Sequence, residues 1–248
     1  SLHFLVSTLL FVISELGVEG VGEAVLSGAR KSKCLVPDGV DHTTREALLQ
    51  QCISKNYGEG NEMRCYQGLG CFSVDYPWTS ITRPFPAPHP PEEVDVHLYC
   101  YTRKSPIRYN VTLWPYIALE GCPFQADPTT VFIAHGFATN GNGSWLSEMK
   151  DNYLSAMDAN IFLVDWGQAA QNLNYLQVAS NTRIVGAELA RFLKYLQQQH
   201  SLKVDNLHLI GHSLGAHISA YAAKAVPGIS RLTAMDPAQP GFEGQAKE

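Results

Sequence analysis

Short blocks of apolar residues alternate with amphipathic stretches through the second half of the chain. Residues 129–134 (TTVFIA), 161–166 (IFLVDW), 207–210 (LHLI) and 232–235 (LTAM) are brief, β-branched or aliphatic, and too short for helices. Each reads as a strand buried on both faces, and residues 97–101 (HLYCY) as a further strand. Between them Val185, Leu189, Phe192, Leu193 and Leu196 fall on one face of a 3.6-residue helix. A second helix is predicted from about Leu214. Strands alternating with helices predict an α/β protein: a mostly parallel sheet with helices on both faces and right-handed crossovers. Six prolines between residues 77 and 91 (Pro77, Pro84, Pro86, Pro88, Pro90, Pro91) predict an extended crossing over the surface, because proline fixes φ and donates no hydrogen bond. Residues 21–60 show no periodicity, and no internal repeat is visible.

Composition narrows the class. Of the 248 residues, 45% are hydrophobic and 17% charged, the balance of a folded globular chain. The formal net charge of −5 argues against a nucleic-acid partner. No apolar run approaches the roughly 20 residues of a membrane span, so no transmembrane anchor is expected. Residues 4–13 (FLVSTLLFVI) resemble the apolar core of a secretory signal whose start is missing. The chain divides on this reading into a partial signal (1–20), a cysteine-containing extension (21–60) and one α/β domain (61–248) that reads as a fragment.

Six cysteines (Cys34, Cys52, Cys65, Cys71, Cys100, Cys122), none later in the chain, suit disulfides in an oxidising compartment. They allow 15 pairings. Cys65 and Cys71 flank a short glycine-containing loop that is easy to close, and no CxxC pair or histidine spacing supports a metal. Asn110-Val111-Thr112 and Asn142-Gly143-Ser144 are glycosylation sequons. Together with the signal-like start they point to secretion.

The candidate chemistry centres on Gly211-His212-Ser213-Leu214-Gly215, a G-x-S-x-G motif placed directly after the 207–210 strand and before a helix. The motif requires that order. A sharp strand-to-helix turn lifts the serine hydroxyl above the sheet edge, and glycines on either side let strand and helix approach. Ser213 is thus the candidate nucleophile and the Leu214 N–H one oxyanion donor. His135-Gly136-Phe137 follows the 129–134 strand, which makes the Phe137 N–H the second donor. Asp236 closes the 232–235 strand and is the candidate acid; Asp165, closing 161–166, is its rival. The order serine, then acid, favours Asp236. Phe137, Trp145, Trp166 and Tyr175 suit either an acyl groove or the core.

These segments, GHSLGAH (211–217), MDPAQP (235–240), AHGF (134–137), FLVDW (162–166), NTRIVGAELA (181–190) and CYQGLGCF…PW (65–78), occur in one order that resembles the pancreatic lipase family of secreted α/β-hydrolases. The likeness covers about residues 60–248. It implies hydrolysis of carboxylic esters in neutral lipids or phospholipids at a lipid–water interface, with no cofactor. By the same likeness Ser213 is the nucleophile, Asp236 the acid, and Phe137 and Leu214 the oxyanion donors. It also implies that Cys65 pairs with Cys71; a Cys34–Cys52 pair is a guess without a family counterpart. A triacylglycerol lipase is expected first, a phospholipase A1 second. The rival from another class is a non-catalytic lipid-binding or storage protein on a lipase scaffold.

The chain departs from the family in one respect. The family's catalytic histidine follows the acid, beyond a disulfide-bounded lid, whereas all nine histidines here precede Asp236. His135, His212 and His217 lie nearest the motifs, but their places in the oxyanion loop and elbow are not those of the base. The chain alone is therefore expected to hydrolyse esters barely or not at all, with one sheet edge unpaired. Glu243 and Glu248 are possible ligands of the calcium site some relatives carry, but no metal is assigned.

Overall fold

A computed structural model describes residues 63–80 and 82–244, which lie in one compact unit spanning Asn61–Glu248. The signal-like segment, residues 21–60 with Cys34 and Cys52, and Glu248 lie outside the described residues.

The described residues open with a hairpin of β1 (Met63–Tyr66) and β2 (Gly70–Ser73), whose paired residues Cys65 and Cys71 form a disulfide. A six-stranded sheet follows, in the order β4-β3-β6-β5-β7-β8. Its strands are β3 (His97–Thr102), β4 (Tyr109–Val111), β5 (Thr129–Ala134), β6 (Ala159–Asp165), β7 (Leu207–His212) and β8 (Arg231–Met235). The pairings β6–β5, β5–β7 and β7–β8 are parallel, while β3 runs antiparallel to both β4 and β6. A second disulfide joins Cys100 on β3 to Cys122, a pairing the spacing left open.

Each predicted strand forms with small shifts of boundary. β6 starts two residues early and releases Trp166, and β7 runs on to His212. Alternate side chains of the central strands feed two cores. Val131, Ile133, Ile161, Leu163 and Ile210 pack with Leu146 and Leu154 of α2 (Ser144–Ala156). Phe132, Ala134, Phe162, Val164 and Leu209 pack with Val185, Leu189, Phe192 and Leu193 of α4 (Tyr175–His200) and Ile218 of α5 (Leu214–Ala225). The two-residue repeat of a strand thus produces the two-sided layer, and the sheet carries helices on both faces. α4, which follows the single turn α3 (Gly167–Ala170), extends well beyond the predicted stripe. The Asn174 side chain caps its start by accepting from the Gln177 N–H, and Ser201 ends it in the left-handed region.

The proline-rich crossing begins in a turn at 76–78, contrary to the prediction of an extended path from Pro77, and carries no regular structure over 83–90 until Pro91 starts the single turn α1 (Pro91–Val94). It is not a mere surface strap, because Arg83 and Phe85 are buried. Polar residues of α4 draw it in. Ser180 donates to the Pro86 carbonyl (2.6 Å) and Gln177 to that of Ala87 (3.0 Å), while the His89 N–H donates to Asn181 (2.9 Å). Proline removes donors but keeps acceptors, and a helix with buried amide and hydroxyl groups supplies what such a segment lacks.

Candidate active site

β7 ends at His212, and Ser213 bridges to α5 with φ 54° and ψ −120°, a region that L-residues rarely occupy. Main-chain packing forces this bend. A Cβ on Gly211 would stand 2.0 Å from the Gly215 carbonyl oxygen, and one on Gly215 would stand 2.2 Å from that of Ala134. Both flanking glycines are therefore required by the close passage of strand, turn and helix. The Ser213 N–H donates to the Met235 carbonyl (3.0 Å), tying the bend to β8.

The loop after β5 lies against this bend. A Cβ on Gly136 would be 2.7 Å from Ser213 Cβ and 3.1 Å from its Oγ, so the serine side chain occupies the space a larger residue would need. Among the described residues, neither the Phe137 N–H nor the Leu214 N–H meets an acceptor. Unpartnered backbone donors are uncommon away from helix starts and ligand sites. The Leu214 N–H is one that the start of α5 leaves free, and the Phe137 N–H is the uncommon one, following the glycine packed against half-buried Ser213.

Asp236 follows Met235, the register partner of His212, so Ser213 and Asp236 leave neighbouring parallel strands at one level. Asp236 also has a positive φ, 44°, and is exposed. Asp165 is engaged elsewhere. It accepts from the N–H groups of Gly141 (2.8 Å) and Gly167 (3.0 Å) and from the Tyr99 hydroxyl (2.9 Å). Burial pushes its carboxyl up, but these donors, with the His135 imidazole 3.4 Å away, outweigh that and hold it well below the usual carboxylate range. Burial, and then this carboxylate, push the Tyr99 phenol up to about 12.

No histidine among the described residues hydrogen-bonds Ser213 or Asp236. His135 is fully buried at the start of the loop after β5 and stacks on Trp166. His212 packs edge-on against Trp145. His217 Nε2 donates to the Ala238 carbonyl (2.7 Å), with its ring stacked on Phe242; burial lowers its pKa. Of the four aromatic residues in question, Trp166 belongs to the core, whereas Phe137, Trp145 and Tyr175 are half-buried. Phe137 and Tyr175 meet edge to face at 5.3 Å.

The two sequon asparagines, Asn110 and Asn142, are exposed and share a neighbour. Arg108 donates to the Oδ1 of Asn110 (3.2 Å) and of Asn142 (3.4 Å) while its guanidinium covers the Tyr99 ring.

Sequence reasoning missed the set around Asp165 and the Trp166 indole, which donates to the His135 carbonyl at 3.0 Å. The only signal was their place at and just past the end of a buried strand. It also missed the polar face of α4. There Glu188 accepts from Trp114 (2.6 Å), and Arg183 donates to the Ser73 carbonyl (2.8 Å).

Comparison with known proteins agrees with this architecture. The family model described as Lipase matches residues 62–248. Pancreatic lipase-related protein 2 of Bos taurus is 38% identical over 188 residues, covering 74% of this chain and 40% of the relative. Pancreatic triacylglycerol lipase of Homo sapiens is 38% identical over 183 residues, covering 73% and 39%. A human relative named inactive pancreatic lipase-related protein 1 is 37% identical over 193 residues, covering 77% and 41%. The chain thus spans about 40% of the length of these relatives. With a sheet layered between helices and a strand–serine turn–helix at the C-terminal end of β7, the chain belongs to the Lipase family and has an α/β-hydrolase fold.

Proposed function

We propose that the complete protein is a secreted hydrolase of lipid carboxylic esters, resembling a triacylglycerol lipase and acting through an acyl-enzyme on Ser213. The observation that carries this reading is a strained, half-buried serine beside two main-chain N–H groups without acceptors. In the proposed reaction a histidine from outside these 248 residues takes the Ser213 proton, and Oγ attacks the ester carbonyl. The resulting oxyanion accepts from Phe137 and Leu214. The C–O bond to the alcohol breaks, and the alcohol leaves with the proton the histidine returns. Water, deprotonated by the same base, then cleaves the acyl-serine and frees the acid. Asp236 orients the histidine. Phe137, Trp145 and Tyr175 offer apolar walls for an acyl chain. No cofactor takes part in this scheme.

Without the histidine the serine is a poor nucleophile, and the loss of a triad member costs on the order of 10⁴ to 10⁶ in rate. The 248-residue chain alone is therefore expected to be nearly inert. The deciding experiment treats the complete protein with a fluorophosphonate and assays tributyrin and phosphatidylcholine. Label on Ser213, abolished by Ser213→Ala, with tributyrin the better substrate, is expected. No label, under conditions that label a known serine esterase, overturns the enzyme reading.

That outcome would favour the second reading, a non-catalytic lipid-binding protein. The named inactivity of a relative 37% identical to this chain supports keeping it in view. Binding to triolein emulsions without turnover would then be its signature.

A further inference from the structure

We propose that His135 is a positioning residue that aims the Phe137 N–H at the substrate oxyanion by holding the opposite end of the same peptide unit. The inference rests on the hydrolase reading above. His135 Nδ1 lies 3.0 Å from the Gly136 carbonyl oxygen, and the Trp166 N–H points at Nε2 from 3.2 Å. A carbonyl oxygen can only accept, so Nδ1 carries a proton and donates it to Gly136, while Nε2 faces both the Trp166 N–H and, at 3.4 Å, Asp165 Oδ1. The Gly136–Phe137 peptide is not among the cis bonds, and in a trans unit C=O and N–H point in opposite directions. Fixing the Gly136 carbonyl on the buried imidazole therefore fixes the direction of the Phe137 N–H, which itself has no partner.

The surroundings leave this loop little freedom. The Trp166 indole holds the His135 carbonyl (3.0 Å), and the Ala138 N–H donates to Ala170 (2.8 Å), so the units on either side are also anchored. His135 is 0% exposed and touches neither Ser213 nor Asp236, which separates it from any role as base. An oxyanion donor is effective only when preorganised, because reorienting it during the reaction would cancel its advantage.

Two amide substitutions separate this role from simple support. Asn at position 135 presents its NH₂ close to the place of Nδ1 and keeps a donor for Gly136. Gln reaches the place of Nε2 and keeps an acceptor for Trp166 but loses the Gly136 donor. In the complete protein, with p-nitrophenyl butyrate, His135→Asn is expected to retain kcat within about fivefold. His135→Gln is expected to lose about 10²-fold in kcat, approaching the loss of an oxyanion donor, at nearly unchanged KM. The fluorophosphonate labelling rate should fall in parallel. A merely structural role predicts the reverse order, and Gln equal to or better than Asn overturns the inference. Should His135→Gln fail to fold, the Asn variant decides alone: kcat within fivefold supports the inference, and a 10²-fold loss at constant KM overturns it. A wild-type protein that neither turns over nor takes label overturns the hydrolase reading instead.

Discussion

Two aspartates close apolar segments of similar appearance, yet their surroundings differ completely. Asp236 stands exposed at the level of Ser213, whereas Asp165 is buried and gathers two main-chain N–H groups and a phenol. Asp165 thereby clamps the loop carrying Gly141 to the end of β6. Its folded pKa lies below the unfolded value of about 3.9, so the unfolded chain takes up the proton first. The stabilisation is complete above about pH 4 and is lost as the pH falls through the folded pKa. Asp165→Asn should therefore lower the urea midpoint of the complete protein at pH 7, and the gap should close as the pH drops below 4. A gap independent of pH would show that the carboxylate charge does not matter. At this scale the Ser213 turn and its glycines were legible, because a tight turn demands particular residue types. The duties of Asp165, His135 and Trp166 were not, because hydrogen-bond partners distant in sequence leave no periodic trace.

At the scale of elements, the five strands β3 and β5–β8 and the helix α4 followed from the order of apolar residues, whereas β1, β2, β4 and α2 were not predicted, their apolar residues being too few or too irregularly spaced. The direction of β3 did not follow from that order, because antiparallel and parallel strands share that pattern when both faces are buried. The docking of the proline-rich crossing was equally hidden; its glue is a set of polar groups on α4 that a hydrophobic stripe ignores. The two disulfides differ in what they enclose. Cys65–Cys71 spans 6 residues within a hairpin, and Cys100–Cys122 spans 22 and ties β3 to a long connection. Loop-closure entropy assigns the shorter about 2 kcal/mol and the longer about 3 kcal/mol. Replacing each pair by alanines in the complete protein should show the larger fall in unfolding free energy for Cys100→Ala/Cys122→Ala. The burial of Cys100 adds to that difference. Equal losses would mean that the hairpin disulfide does more than close its loop.

For the molecule as a whole, β8 stands out. It pairs only with β7 among the described residues, and Arg231, Leu232 and Ala234 are exposed, in contrast to the fully covered β5 and β6. An edge with free main-chain groups and exposed apolar side chains invites pairing with another chain. The 248-residue chain should therefore self-associate with rising concentration in sedimentation velocity, and Leu232→Lys should shift it toward monomer. Concentration-independent monomers of the parent chain would show that the edge is already protected. The sequence revealed the layered class and the family likeness, because both depend on local order. The exposure of a given strand depends on which neighbours pack over it, and no run of letters within that strand states this.

The bend at Ser213 has a wider meaning. Its shape is imposed by glycine contacts and a main-chain hydrogen bond to β8, none of which takes part in bond making or breaking. The scaffold can therefore outlive the reaction: a descendant that loses turnover keeps its form at no cost in folding. Resemblance of shape therefore says little about turnover, and only a reactive probe certifies an enzyme.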